Sequence, residues 1–135
     1  MFLHFMGVKK GYKMFNQATL SYCASFIDGE GYIEWCVRPK KNGKGKIYNT
    51  HIYRLELCNT DQDLIKSIHK DFGEEGTLNY VKPRITDKGT WTKPQLVWHI
   101  SYRKFYRLLR LVLPFMRQKD KVDKAQAIVE WVESR

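Results

Sequence analysis

The sequence predicts an α+β domain in which one antiparallel sheet is covered by helices on one face. Three observations predict it. Apolar residues recur at helical spacing in four segments, four other segments alternate apolar and polar residues, and turns containing glycine join the alternating segments in pairs. Two hairpins separated by a helix can pair into one sheet whose apolar face needs a helical cover. The predicted order is αββαββαα.

The first predicted helix covers residues 17–27, with Asn16 as its N-cap and Gly29 just past its end. Strands follow at 32–39 and 47–58, joined by a turn rich in lysine and glycine at 40–46. The residues on the apolar faces of these elements are Leu20, Cys23, Ala24 and Ile27 in the helix, and Ile33, Trp35, Leu55 and Leu57 in the strands.

The second half of the chain repeats the pattern. Residues 60–63 supply caps and first-turn acids for a short helix that ends before Gly73. A second hairpin, 76–84 with 90–101, turns at Asp87-Lys88-Gly89, and Pro94 indicates an edge or a bulge. Two helices follow, divided by Pro114.

The composition describes a single basic domain. The chain has 135 residues, and 24 Lys and Arg outnumber 14 Asp and Glu to give a formal charge of +10. Two domains of ordinary size would not fit this length. We therefore predict one domain over 1–135, with an N-terminal extension (1–15), a first helix (16–31) and a C-terminal helix (119–135). The charge favours nucleic acid as the partner, because bound Lys and Arg release condensed counterions.

We expect neither a membrane span nor export. The longest apolar run, 111–113, is far shorter than the roughly 20 residues of a span, and the N-terminus lacks the order of a cleavable signal. Cys23, Cys36 and Cys58 lack a CxxC pair, which predicts neither disulfides nor a zinc cluster. An intracellular, reducing compartment fits best, with organelle, nucleus and prokaryotic cytoplasm not distinguished.

The sheet face opposite the helices is predicted to be polar and basic. Such a β surface can lie in the major groove of DNA, where Arg, Lys, Asn and Gln meet distinct donors and acceptors. We therefore predict DNA contacts from this face, against the alternative of a face that is merely solvated. Its residues are Glu34, Arg38, Lys40, Arg54, Glu56, Asn79, Gln95 and His99.

The sharpest local feature is a helix that leads through an acidic pair flanked by glycines into a strand. Residues 23–31, CASFIDGEG, resemble the nine-residue LAGLIDADG motif, with Cys23 at its opening Leu and Ser25 at its usual Gly. Over residues 20–127 the chain thus resembles a LAGLIDADG homing endonuclease with one copy of the motif. The resemblance implies that family's αββαββα core fold.

The resemblance also implies a homodimer, in which two motif helices pair across a two-fold axis through Tyr22, Ala24, Ser25 and Asp28. The small side chains of Ala24 and Ser25 would let a second helix approach closely. Ordinary packing within one chain is the alternative reading of the same small residues. Pairing with a related chain is a second alternative.

The family's catalytic roles can be carried over to individual residues. Glu30 matches the acid that binds Mg²⁺ (or Mn²⁺), assisted by the carbonyl of Gly31. A carboxylate near the negative end of a helix dipole suits a cation of this kind. Lys119 matches a basic residue near the metal-bound water, with Lys121 as the neighbouring alternative. Asn59 or Gln62 would order water in the site.

The function that the resemblance implies is intron-encoded, site-specific endonuclease activity. A homodimer would hydrolyse double-stranded DNA at a long, partly palindromic target, each subunit reading one half-site with magnesium as the cofactor. The alternative is an intron maturase, or a non-cleaving nucleic-acid-binding protein of the same fold, which could also bind intron RNA. Loss of the motif acid would be its expected signature, and Glu30 is retained.

Overall fold

A computed structural model describes residues 15–135 and shows a four-stranded antiparallel sheet with helices on one face. The predicted order and fold class are confirmed. The predicted N-terminal extension lies outside the described residues except for Phe15. The elements are α1 (Gln17–Glu30), β1 (Tyr32–Lys41), β2 (Ile47–Asn59), α2 (Gln62–Asp71), β3 (Thr77–Val81), β4 (Gln95–Ser101), α3 (Tyr102–Val112), a 3₁₀ turn (Leu113–Phe115) and α4 (Lys119–Glu133).

The sheet has the strand order β1-β2-β4-β3, so the second strand of each hairpin lies in the middle. Of the residues of β2, only the last six, from Arg54 to Asn59, pair with β4. The earlier residues of β2, which follow the lysine-rich turn, pair with β1 alone. The first hairpin therefore extends beyond the four-stranded region as a two-stranded arm.

The register separates the two faces of the sheet. Ile33, Leu55 and Ile100 form one row across three strands, and each is at most 2% exposed beneath the helices. The next row, Glu34, Arg54 and Ser101, lies on the opposite face. The predicted alternation is thus confirmed, and the apolar row belongs to the core that α1 covers with Leu20, Cys23, Ala24 and Ile27.

The end that periodicity predicts for the first helix, at residue 27 with Gly29 just past it, is too early. Asn16 caps α1 as expected, its side-chain oxygen accepting the Thr19 N–H at 2.8 Å. The helix then continues through Gly29, and its last bond runs from the Gly31 N–H to the Ile27 carbonyl at 2.9 Å. Glycine is tolerated in a helix at a modest cost, so it ends one only where the next residues leave helical geometry. Glu30 is consequently the last helical residue.

The second hairpin is shorter than predicted. Residues 82–94 lie between β3 and β4, with one isolated bridge, Ile85 to Trp91, around the predicted turn. Pro83 and Pro94 follow β3 and precede β4, where the absence of an N–H interrupts the ladder.

Cys23 belongs to the core. Burial, with a smaller contribution from Asp71, raises the pKa of its thiol to about 12, so the group stays protonated and unreactive. All three cysteines are free thiols. Within residues 15–135, no helix combines the length and apolar character that crossing a bilayer requires.

Replacing Gly31 with alanine is expected to destabilise the protein by about 1–3 kcal/mol, the usual cost of overpacking. The added Cβ would lie 2.8 Å from the carbonyl oxygen of Ile27 and 3.0 Å from its Cα. Gly43→Ala, in the turn between β1 and β2, is the matched control, since nothing lies within 4 Å of its Cβ, and alanine gains roughly 0.4–1 kcal/mol over glycine where the backbone suits both. Urea unfolding measures both variants. Equal stabilities of Gly31→Ala and wild type would refute this close packing.

Candidate active site and nucleic-acid interface

Glu30 lies exposed at the end of α1, and Asn59 holds its side chain. The Asn59 amide donates from Nδ2 to Glu30 Oε2 at 2.9 Å, while its Oδ1 accepts the Asp61 N–H at 2.7 Å. Asp61 in turn caps α2 by accepting the Leu64 N–H at 3.1 Å. One amide thus connects the end of β2, the start of α2 and the motif acid. For Gln62, the other predicted water-ordering residue, residues 15–135 show no hydrogen bond to Glu30.

Two opposed interactions join the end of α1 to the start of α4. The Asp28 carboxylate accepts the backbone N–H groups of Arg117 at 2.8 Å and Gln118 at 3.1 Å. In the other direction, Lys121 Nζ donates to the carbonyls of Ile27 at 2.9 Å and Asp28 at 2.7 Å. These carbonyls carry the negative end of the helix dipole, which a cation stabilises. The backbone just before the motif acid is therefore held by residues at the start of α4.

Lys119 and Lys121 are placed differently. The Lys119 side chain is 84% exposed, and its Nζ lies 3.1 Å from Asp123 on the same helix. Lys121, the neighbouring alternative in the sequence, is the basic residue that contacts the motif helix. No spacing rule distinguishes the two, because the choice depends on how α4 is rotated against α1.

The end of α1 presents a single exposed motif acid, Glu30. Residues 15–135 contain no group of three His, Cys, Asp or Glu side chains that could hold a metal ion. Glu30 and the Gly31 carbonyl offer hard oxygen atoms, which suit Mg²⁺ or Mn²⁺. Mg²⁺ commonly takes one or two carboxylates and completes its shell with water and phosphate oxygens. The Glu30 carboxylate and the Gly31 carbonyl therefore fit a metal site whose remaining ligands would come from water, phosphate or a second chain.

The outer face of α1 is open. Tyr22 is 52% exposed, and with Ser25, Phe26, Gly29 and Glu30 it lines a cavity of about 310 Å³. Two of the predicted interface residues do not lie here. Ala24 is fully buried in its own core, because it falls one helical turn from Leu20. Asp28 is occupied by the start of α4. Tyr22 and Ser25 do lie on the open face, and Phe26 and Gly29 join them there.

All eight predicted DNA-contacting residues lie on the sheet face opposite the helices, as their register shows. Several are paired with one another. Glu34 contacts Arg54 at 2.6 Å and Arg38 at 3.0 Å, and Glu56 lies 3.6 Å from His99.

Cys58 is an addition to this face that the sequence reasoning missed, although the same alternation would have found it. Its Sγ lies 2.7 Å from Gln95 Oε1. Burial, followed by the charges of Glu56 and Glu30, raises the pKa of the Cys58 thiol. The thiol is therefore protonated at neutral pH and can donate to Gln95, leaving the Gln95 NH₂ free.

Solved structures share this fold. The chain superposes on the homing endonuclease I-CvuI, in complex with its target, with a TM-score of 0.64 and 18% identity over 87% of this chain and 67% of that one. The group I intron-encoded homing endonuclease I-CeuI, complexed with DNA, gives 0.55 and 15% over 88% and 57%. The LAGLIDADG homing endonuclease I-LtrWI, bound to target DNA, gives 0.53 and 17% over 88% and 39%.

No protein-family model and no curated protein sequence matches the chain. At these identities the structural likeness defines the fold. The protein has the LAGLIDADG homing-endonuclease fold, as the motif resemblance implied. It spans about two thirds of I-CvuI and smaller shares of the other two chains.

Replacing Lys121 with methionine is expected to lower the free energy of unfolding by about 1–2 kcal/mol, since it removes a cation and two hydrogen bonds from the end of α1. Lys119→Met makes the same chemical change at an exposed ion pair and should stay within about 0.5 kcal/mol of wild type. Urea denaturation compares the two variants directly. Equal losses would contradict the distinct placement of these lysines.

Proposed function

We propose that the protein is a site-specific endonuclease that binds duplex DNA as a homodimer and hydrolyses it at the paired ends of two α1 helices. One observation carries the proposal. Glu30, an exposed acid held by Asn59, lies beside both an open helix face and the edge of a polar sheet surface. A second copy docked on that helix face would bring two such acids together, with a sheet on either side.

The length of β2 supports a half-site of about one helical turn. A strand of 13 residues spans roughly 40 Å at the usual rise, and one turn of B-DNA measures about 34–36 Å. Arg38, Lys40 and Arg54 supply positive charge along this surface, and Asn79 and Gln95 supply amides for base edges. The formal charge of +10 supports the phosphate contacts that this mode of binding requires.

Each side chain near Glu30 has a task in this proposal. The Glu30 carboxylate, with the Gly31 carbonyl, would hold Mg²⁺ or Mn²⁺, and Asn59 keeps that carboxylate oriented. When bound, such a cation supplies Lewis-acid polarisation of a phosphoryl oxygen and a more acidic water. Lys121 holds the helix end and places its ammonium near the position where charge develops on phosphate. Lys119 would contact the phosphate on giving up its ion pair with Asp123, and Gln62 would order water in the site.

The donor count supports a homodimer. Residues 15–135 present one acid at the α1 end of each chain, and a second copy would supply the acid for the second strand. Ser25 and Gly29 lie four residues apart on the open face, and small side chains at a contact let helix axes approach closely. A non-cleaving nucleic-acid binder, such as a maturase, would need the polar surface without the acid.

Replacing Glu30 with glutamine should reduce cleavage by at least about a hundredfold, because it removes the charge that holds the cation. DNA affinity should change little, since the shape is kept. Wild type and variant are incubated with randomised duplex DNA and Mg²⁺, with EDTA as the control, and the cut ends are sequenced. Affinity is measured by gel shift.

Three outcomes would contradict parts of this proposal. Cleavage by Glu30→Gln at the wild-type rate would show that the Glu30 carboxylate is not needed for hydrolysis. Wild-type binding without cleavage would favour the non-cleaving binder. Cuts lacking any two-fold relation would argue against a homodimer.

Replacing Ser25 with arginine should convert the dimer into a monomer, because a long charged side chain would separate the two helices. Ser67→Arg is the matched control, as the same change at an exposed position of α2. Light scattering gives both masses. A wild-type protein that is monomeric even with DNA would instead support pairing with a related chain.

A further inference from the structure

We propose that Glu34 is a positioning residue that aims Arg54 at a guanine, so that Arg54 reads a G·C pair in each half-site and Glu34 reads none. The inference rests on the proposed function, since it names a specificity determinant on that DNA surface. It changes the role expected for Glu34 from direct contact with DNA to the support of an arginine.

The placement of Glu34 is the first argument. It lies directly opposite Arg54 in the register of β1 and β2. Its Oε1 is 2.6 Å from Arg54 Nε, and its Oε2 is 3.0 Å from Arg38 Nη2. The Glu34 side chain is only 11% exposed, whereas Arg54 is 44% and Arg38 is 59% exposed. The two cations therefore face solvent and the acid between them does not.

The electrostatics point the same way. A nearly buried carboxylate is costly unless it is paired. Oε1 makes no hydrogen bond of good angle despite its short distance to Arg54 Nε, so Coulomb attraction to that guanidinium is its compensation. To read the amino group of cytosine, Glu34 would have to give up this pairing and reach past both arginines. A direct contact with DNA is therefore disfavoured.

The atoms used on each arginine decide which of them reads the base. Arg54 contacts Glu34 through Nε, which leaves Nη1 and Nη2 as an end-on fork. That fork matches the O6 and N7 acceptors of guanine in the major groove. Arg38 contacts Glu34 through Nη2, so one terminal nitrogen is already occupied. Arg38 is accordingly assigned to phosphate.

Pre-orientation gives Glu34 its effect on specificity. An unpaired arginine samples many rotamers and loses that freedom when it binds a base. A guanidinium already held at Nε loses less conformational freedom on binding, and its two terminal nitrogens point in one fixed direction. Removing the carboxylate should therefore weaken discrimination at the guanine that Arg54 reads and leave the remaining positions unchanged.

The test is selection from randomised duplex DNA at fixed salt, followed by sequencing of bound molecules. Wild type should enrich guanine at one position of each half-site. Arg54→Lys keeps the charge but loses the fork, and should reduce that enrichment roughly tenfold to a hundredfold. Glu34→Gln should reduce enrichment at the same position. Lys40→Gln is the control, at an exposed position of β1, the strand that also carries Glu34. It should lower affinity for all sequences alike.

Other outcomes overturn the assignment in distinguishable ways. A shift in preference at a cytosine position with Glu34→Gln alone would make Glu34 a reader. If Arg54→Lys kept the guanine preference, Arg54 would not be the residue that reads this base. Arg54→Lys also keeps a cation beside Glu34, so it still tests the proposal in case Glu34→Gln does not fold. Folding is followed by circular dichroism. Failure of folded wild type to bind any duplex would overturn the proposed function itself, and this inference with it.

Discussion

The end of α1 is the constraint on which the candidate site depends. Gly31 passes so close to Ile27 that a Cβ would overlap its carbonyl oxygen. Asp28 and Lys121 then join this turn to α4 from opposite directions, one accepting backbone N–H groups and the other donating to backbone carbonyls. Glu30 therefore projects from a helix end that Asp28, Lys121 and the close contact at Gly31 hold in place.

The sheet contacts the end of α1 through the start of β1 and the end of β2. β1 begins immediately after Gly31, and β2 returns to Asn59, whose amide reaches the Glu30 carboxylate. The candidate site and the polar face are therefore joined through the same two strands. Displacing the register by one residue would move every polar side chain to the core, and it would also carry Asn59 away from Glu30. The placement of Glu30 and the composition of the polar face thus depend on the same strand pairing.

Much of this could be predicted from local pattern. The caps at Asn16 and Asp61, the alternation of β1 and β2, and the break at Pro114 depend on neighbours within a few residues, and the structure confirms them. The errors were also local. Gly29 does not end the helix, because glycine is compatible with helical geometry, and the strands of the second hairpin stop short of Pro83 and Pro94.

The element order and the composition of each sheet face follow from periodicity and residue type within the sequence, and the motif acid follows from the resemblance that residues 23–31 carry. The tertiary structure alone decided that Lys121 contacts the motif helix, that Ala24 faces the core and that Arg54 and Glu34 are partners. Each of these depends on the rotation of one element against another. That rotation follows from the packing of the whole core, which no single segment encodes.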